Sequence, residues 1–416
     1  MSNANVIFKM MVNKYGLDNL GIQNVYTPVN KIEEATGIKF FDFINAETRN
    51  IGVLFNWEFI YTMLEEAAKN NYTDNIKFTY FYDSEANKNA LNFNGFDKYR
   101  FAKVNFEIEF VNISEFTEQN KDVKVIENAM TGKHFDIVFS NPPYNGNIDL
   151  KILQTMFDYA EKIVFIHPAT FLLDKKFKTK IYNDVRNSNY LEKAIFVWGN
   201  MLFDIWLFCP LTISVWDKKH NSKNVEVIDT AITNSTYTCD VNDISVHGEY
   251  FQKVKHFLNC KSNLQNNITD ENELTDYSVK FALIRGHANV KNNISGYNED
   301  FFTITAMDDE LNKCDHTFRY LEHVGKSQRL HYGFSSEAER NNFLSYCKTK
   351  VVRFLLSLIK INGALARGEL KVIPWLDFTQ EWNDKKLCEE FNIDEELWNY
   401  IDKFIPDYYE DYKSGF

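Results

Sequence analysis

Proline and glycine are scarce in this chain: 7 and 16 among 416 residues. That excludes collagen-like and Pro/Gly-rich low-complexity architectures. The six cysteines (Cys209, Cys239, Cys260, Cys314, Cys347, Cys388) are scattered, with no C-x-x-C pair and no Cys/His cluster. A zinc ribbon and a disulfide framework are therefore not expected. No run reaches the roughly 18 apolar residues of a membrane span. The opening MSNANVIFKMMVNKYG also lacks the apolar core of a signal peptide. The expectation is a reduced, cytoplasmic protein with no membrane segment and no metal. Positive charge is in deficit, 46 Lys and Arg against 58 Asp and Glu, for a net charge of −12. A polycationic nucleic-acid coat is thereby excluded, although a local basic groove is not. No G-x-x-x-x-G-K loop, nucleophile triad or PD-x-E/D-x-K pattern is present, so hydrolase, nucleotide-triphosphatase and nuclease readings find no support.

Aromatic residues, in contrast, are plentiful at 16%, with 36 Phe and 22 Tyr. The length suggests two or three domains. From Asn50, NIGVLFNWEFIYTMLEEAAKNN places Leu54, Phe55, Phe59, Met63 and Ala67 on one face, an amphipathic helix entered through a short apolar run. Strand-like bursts follow at 77–85, 106–114, 123–128, 135–141 and 163–168, then AIFVWG and LFCPLTISVW, with helical stretches between them. Apolar runs alternating with helices describe a parallel sheet covered on both faces. The expected fold is α/β, a doubly wound Rossmann-like sheet with a C-terminal mixed and helical region. The expected domains are an N-terminal helical extension (1–49), a catalytic domain (50–218) and a recognition and helical region (219–416), with 218–300 reading as a linker or loop-rich module. In the last region Ser336 and Glu339 form a capping box ahead of a long helical pattern. Residues 317–371 hold ten Lys/Arg against four Asp/Glu, whereas 372–416 hold four against twelve.

The most informative string is FDIVFSNPPYNG, residues 135–146. A strand delivers Asn141-Pro142-Pro143-Tyr144 at its C-terminal end, where ligands bind in open α/β sheets. Two prolines stiffen the corner and remove two N–H donors, so its carbonyls are free to accept elsewhere. Asn141 adds a carboxamide oxygen and Tyr144 an aromatic face. An exocyclic amine on a planar base needs this set: two acceptors and a ring to stack on.

With that motif the chain resembles the amino-methyltransferases of DNA, in particular the Eco57I-like, γ-type restriction-modification methylases. The resemblance implies a site-specific adenine-N6 methyltransferase carrying a methyl group from S-adenosylmethionine to a flipped-out adenine. It assigns Asn141, Pro142, Pro143 and Tyr144 to the catalytic corner and Tyr144 also to base stacking, with a second aromatic against the base that Phe203 in MLFDIWLF matches best, Trp206 and Phe208 being the alternatives. It extends to the segment after residue 163 and to the closing block around PWLDFTQEW, together about half the chain.

The cofactor half fits the family less well. Its glycine-bearing turn after the first strand matches Phe81-Tyr82-Asp83-Ser84-Glu85-Ala86-Asn87-Lys88-Asn89, with Asp83 in the acidic place and Asn87 and Asn89 in the glycine places. Asparagine is the side chain that best tolerates the left-handed region. The ends of the next two strands present Asn112 and Asn128 where acidic residues belong. The family's F-T-P before the first helix appears as Phe55-Asn56-Trp57. These departures keep two other readings open: a non-catalytic DNA-binding protein or partner subunit of methyltransferase fold, and a nucleobase-modifying enzyme using another donor. Expected partners are double-stranded DNA and, for the subunit reading, a second methyltransferase subunit. Phosphate contacts are expected from Lys175, Lys176, Lys178, Lys180, Lys326, Arg329, Lys348, Lys350 and Arg353. Which sequence is read, and whether adenine or cytosine is modified, is not legible.

Overall fold

The computed structural model describes the chain except residues 1–2, 17–19, 21–25, 45–46, 49, 92–100, 102, 176–178, 198, 204–209, 232, 271–272, 274–276, 278, 283–328, 360–366 and 406–416. Two compact units are formed. One comprises Met1–Leu172 and Phe177–Ile244, the other Leu173–Lys176 and Ser245–Phe416. Among the described residues no helix is long and apolar enough to cross a membrane.

The first unit is built on a nine-stranded sheet: β1 (Asn50–Leu54), β2 (Ile76–Tyr82), β3 (Phe106–Asn112), β4 (Phe135–Ser140), β5 (Ala160–Pro168), β6 (Leu191–Val197), β7 (Leu211–Asp217), β8 (Asn224–Asp229) and β9 (Ser235–Asp240). Their order is β3-β2-β1-β4-β5-β7-β6-β8-β9. The first five strands in that order are mutually parallel, whereas β7 runs antiparallel to both its neighbours. This is a doubly wound, Rossmann-like sheet, and its strand order reverses between β1 and β4. That reversal is the topological switch point, where a crevice opens at the carboxyl ends of the strands.

Burial explains the strand texts. The central β1 and β4 are apolar almost throughout because both faces are covered. At the sheet edge, β3 alternates between half-buried residues and exposed Glu107 and Glu109. Gly52 in β1 faces Val138 so closely that an added Cβ would lie 2.9 Å from a valine methyl.

Helices cover the faces: α1 (Asn3–Tyr15), α2 (Val29–Thr36), α3 (Trp57–Lys69), α4 (Glu85–Ala90), α5 (Lys124–Met130) and α6 (Ile148–Met156). Ala4, Ile7 and Met11 of α1 and Val29 and Ile32 of α2 share one core with β1, β2 and α3. The N-terminal segment is thus part of this unit's core. Much of the aromatic richness lies there too: Phe40, Phe59 and Phe139 meet at centroid distances of 5.1–6.1 Å.

Three expectations change. The apolar run at residue 50 is a strand in its own right, β1, rather than the entry of the helix. VKVIEN is not a strand: it belongs to α5, whose Ile126 and Met130 turn inward at helical spacing. Residues 218–300 do not begin as a linker, because β8 and β9 extend the sheet to Asp240. Their signal is faint because β9 alternates half-buried residues with exposed Thr236 and Thr238 and carries no apolar stripe.

Among its described residues the second unit is largely helical, with one antiparallel strand pair, Val279–Ala282 against Arg329–Tyr332. Ser336 Oγ accepts from the Glu339 N–H at 3.2 Å and starts the helix Glu337–Lys348. Thr349 then ends that helix and caps the next, Lys350–Ser357. His247 is wholly buried between Ser357 Oγ (2.8 Å) and Tyr400 OH (3.1 Å). That burial drops its imidazole to about 3.

Gly52→Ala should force β1 and β4 apart and cost about 1–3 kcal/mol. A lowered urea midpoint checks this; an unchanged midpoint would show that the strands give way freely.

Candidate functional site

Three segments converge at the switch point: Thr27 just before α2, the two-residue turn Phe55-Asn56 between β1 and α3, and Asn141 directly after β4. The hydrogen bonds among them fix every amide. The Asn141 backbone N–H donates to Asn56 Oδ1 at 2.8 Å. Because a backbone N–H can only donate, Asn56 must turn its nitrogen the other way. That nitrogen donates to Thr27 Oγ1 at 3.0 Å. Asn141 Nδ2 donates to the same oxygen at 3.0 Å. Asn141 Oδ1 therefore points away from Thr27, and it accepts from the Tyr144 hydroxyl. Thr27, Asn56 and Asn141 are buried, whereas Tyr144 is half-buried.

The turn itself is tight. Phe55 sits at φ 68°, a backbone region that bulky side chains rarely enter. Its neighbours hold it there. The Phe55 N–H donates to Phe81 O at 3.0 Å, its carbonyl accepts from Tyr80 OH at 3.0 Å, and its ring meets Phe116. The Asn56 N–H is used as well, donating to Leu54 O at 2.8 Å. No backbone donor of this turn remains for a ligand.

Two acids belong to the same end of the sheet. Glu58, in the first turn of α3, is 3% exposed and accepts from the Thr27 N–H at 2.9 Å. Burial lifts its carboxyl to about 8. Asp83 follows β2 and accepts from Asn87 Nδ2 at 2.8 Å, and the same nitrogen donates to Leu20 O at 2.5 Å.

These positions revise the expected cofactor residues. The turn 81–91 follows the second strand, not the first, so Asp83 is the acidic residue at the end of β2. Asn87 and Asn89 lie in α4 and have no positive φ, because a Ser84-capped helix forms there in place of a left-handed turn. Asn112 closes β3, is exposed, and accepts from the Ser114 N–H. Asn128 lies exposed on α5 and ends no strand. The expected F-T-P counterpart shifts too: Tyr26-Thr27-Pro28 precedes α2, while Phe55-Asn56-Trp57 is the turn after β1. An aromatic-Thr-Pro string before an amphipathic stretch was there to be read. Counting strands from β2 instead of β1 concealed it.

Other expectations change through burial. Phe203 is 5% exposed and packs in the core, leaving Tyr144 as the described aromatic at the site. Lys175 is buried, with its ammonium 4.8 Å over the Phe251 ring. Arg353 is 1% exposed, and its charge only partly offsets the burial that raises the Asp384 carboxyl. Neither cation can serve as a surface phosphate contact. Lys180 pairs with Asp184 at 2.5 Å and Lys350 with Asp402 at 2.6 Å. Lys348 is half-buried at the end of its helix. Arg329 lies on the strand Arg329–Tyr332, its side chain outside what is described, while Lys176, Lys178 and Lys326 lie outside the described residues altogether. Among the described residues no group of His, Cys, Asp and Glu could hold a metal ion.

No protein-family model matches the chain, and no curated protein does. Solved structures resemble it at low identity. A type I restriction-modification methyltransferase subunit from Streptococcus thermophilus is 12% identical over 60% of this chain and 56% of its own, with TM-score 0.35. The M protein of the type I restriction enzyme EcoKI is 10% identical over 58% and 55%, TM-score 0.36. The type IIG restriction endonuclease BpuSI is 10% identical over 94% and 63%, TM-score 0.41. The match spans only 50–60% of the length of the type I proteins. At such identities no residue's role transfers, and the site stands on its own geometry.

Two outcomes are expected. Thr27→Val should strand two buried amide N–H groups, at about 1–3 kcal/mol for each, while Thr27→Ser stays near the parent; equal urea midpoints for the two would remove Thr27 from its central place. Glu58 holds its proton more tightly folded than unfolded, where its ordinary value is 4.5. Its contribution to stability is thus full below about 4.5 and is lost as pH rises through about 8. Glu58→Gln should flatten that decline, measured as the urea midpoint between pH 5 and 8.5.

Proposed function

We propose that the chain is a DNA adenine-N6 methyltransferase whose amine-binding corner is Asn141-Pro142-Pro143-Tyr144. The observation that carries this reading is the fixed carboxamide of Asn141. With its nitrogen held by Thr27, its oxygen lies on the Tyr144 side and already accepts from that hydroxyl. A substrate amine would take the place of that hydroxyl. Its second hydrogen would go to the Pro142 carbonyl, and the Tyr144 ring would stack on the extruded base. Accepting both hydrogens turns the nitrogen lone pair toward the electrophile, which is what transfer to an aromatic amine requires.

S-adenosylmethionine is the donor this reading implies, and the residues present suit its chemistry. Asp83 offers a carboxylate at the end of β2 for ribose hydroxyls, and Glu58 with Asp83 gives this end of the sheet an acidic lining that favours a cationic ligand. When bound, the donor supplies an electrophilic methyl group. The second unit, with the basic surplus of 317–371, would carry target recognition, and double-stranded DNA would be the partner. A base-holding protein without transfer is the second reading, favoured by the glycine-free turn after β1.

The test is methyl incorporation from labelled donor into adenine of duplex DNA. Asn141→Ala should lower it about 10²–10³-fold, the usual cost of one preorganised polar group. Tyr144→Ala should weaken binding to DNA carrying a mismatched adenine by about 1–3 kcal/mol. DNA binding sensitive to Tyr144 with no incorporation would favour the second reading; insensitivity to both substitutions would sink the corner assignment.

A further inference from the structure

The loop that carries the diproline corner is held at both ends. Its entry, Asn141, is tied to Asn56 and Thr27. Its exit bends sharply into α6, with Gly146 and Asn147 at φ 70° and 59°. There Asn147 Oδ1 accepts from the Tyr182 hydroxyl of the helix Lys180–Arg186 at 3.3 Å. Asp149 follows in the first turn of α6 and is buried. Facing it from the end of β5, His167 Nδ1 lies 3.4 Å from Asp149 Oδ2.

The groups behind the imidazole fix its hydrogen. His167 Nε2 is 2.8 Å from Ser214 Oγ of β7. That oxygen accepts the Trp216 indole N–H at 2.8 Å. Its own proton has two acceptors in reach, Nε2 at 2.8 Å and Phe165 O at 3.4 Å. The nearer one takes it, so Nε2 accepts and the neutral ring carries its hydrogen on Nδ1, toward Asp149. The other tautomer would set a lone pair against the carboxyl oxygen. Asp149, His167 and Ser214 thus stand in the order of a nucleophile triad without being one. Ser214 and His167 are wholly buried, Ser214 in the middle of its strand, whereas a nucleophile must meet its substrate. What these side chains join is the exit of the corner loop to two strands of the sheet. Phe171 packs on the imidazole at 4.5 Å and on Trp216 at 6.2 Å, which holds the ring in place.

We propose that His167 is a positioning residue for the amine-binding corner: through Asp149 it fixes the exit of the loop and thereby the place of the Tyr144 ring. The proposal rests on the methyltransferase reading above. Tyr144 lies between the two held ends. The entry orients the Asn141 oxygen, and the exit decides where the backbone delivers the aromatic ring. Losing the contact to Asp149 frees the exit alone and leaves Asn141 bonded to Thr27. An acid in the first turn of a helix is favourable on its own account, so the variants must separate position from charge.

The measurement is binding of the full chain to duplex DNA carrying one mismatched adenine, compared with the matched duplex. Asp149→Ala removes the acceptor; His167→Gln keeps a polar group toward Ser214 but none toward Asp149. Each should cut the preference for the mismatch about tenfold, within the worth of stacking on one aromatic ring. Asp149→Asn retains an acceptor oxygen, and His167→Asn retains an N–H in the place of Nδ1. Both should stay within about twofold of the parent, because the donor and acceptor that meet are still present. Tyr144→Ala added to Asp149→Ala should cost little more than either alone, since two changes acting on one ring do not add. A staple that merely holds α6 on the sheet would lower the urea midpoint and leave the preference unchanged. An unchanged preference in Asp149→Ala and His167→Gln, or losses fully additive with that of Tyr144→Ala, overturns this proposal alone. A parent with no preference for the mismatch, or a preference indifferent to Tyr144→Ala, overturns the corner assignment with it.

Discussion

One hydroxyl organises the carboxyl end of this sheet. Thr27 Oγ1 receives both the Asn56 and the Asn141 carboxamide nitrogens, and a hydroxyl oxygen has two lone pairs to give. The two bonds join the segment before α2, the turn after β1 and the corner after β4. Because all three residues are buried, a missing partner would leave a desolvated amide, costlier than the bond itself is worth. The consequence reaches the chemistry: with Asn141 Nδ2 engaged, the orientation of Asn141 Oδ1 follows without further choice. The diproline corner adds stiffness, yet it is Thr27 that decides which end of the carboxamide meets Tyr144.

The same economy of space shapes the cofactor end. A glycine loop binds through backbone N–H groups and close approach, and both need several residues of irregular chain. Here two residues join β1 to α3, one of them an aromatic at positive φ held by Tyr80 and Phe81. A turn this short satisfies itself and has nothing left to offer. What this end of the sheet offers besides are side chains, and two of them, Glu58 and Asp83, are buried acids.

Much of the first unit was legible in the sequence. The strand FDIVFS and its Asn-Pro-Pro-Tyr end stood out because proline restricts conformation and an apolar run marks a central strand. What failed was strand counting. The run NIGVL is only five residues long and passes into α3 after two more, so its apolar pattern merges with that of the helix. One missed strand moved Asp83 from the end of the second strand to the first and hid Thr27-Pro28. VKVIEN misled for another reason: its β-branched residues suit a strand, yet tertiary burial of Ile126 and Met130 decided for helix. Burial of cations was not legible at all, since Lys175 and Arg353 lie in stretches that read as basic surface.

Those buried cations bear on how an acidic protein meets a polyanion. The surplus of positive charge in 317–371 looks like a phosphate footprint when counted. Within the second unit part of it is consumed: Arg353 lies in the core, Lys350 serves Asp402, and Arg340 serves Glu337 at 3.0 Å. Affinity from counterion release scales with the charges that actually reach phosphate. On the proposed function, binding to an extruded base would then supply a larger share of the total than in a basic protein. The half-buried Tyr144 ring and the Asn141 oxygen that accepts from its hydroxyl are the groups on which that share would fall.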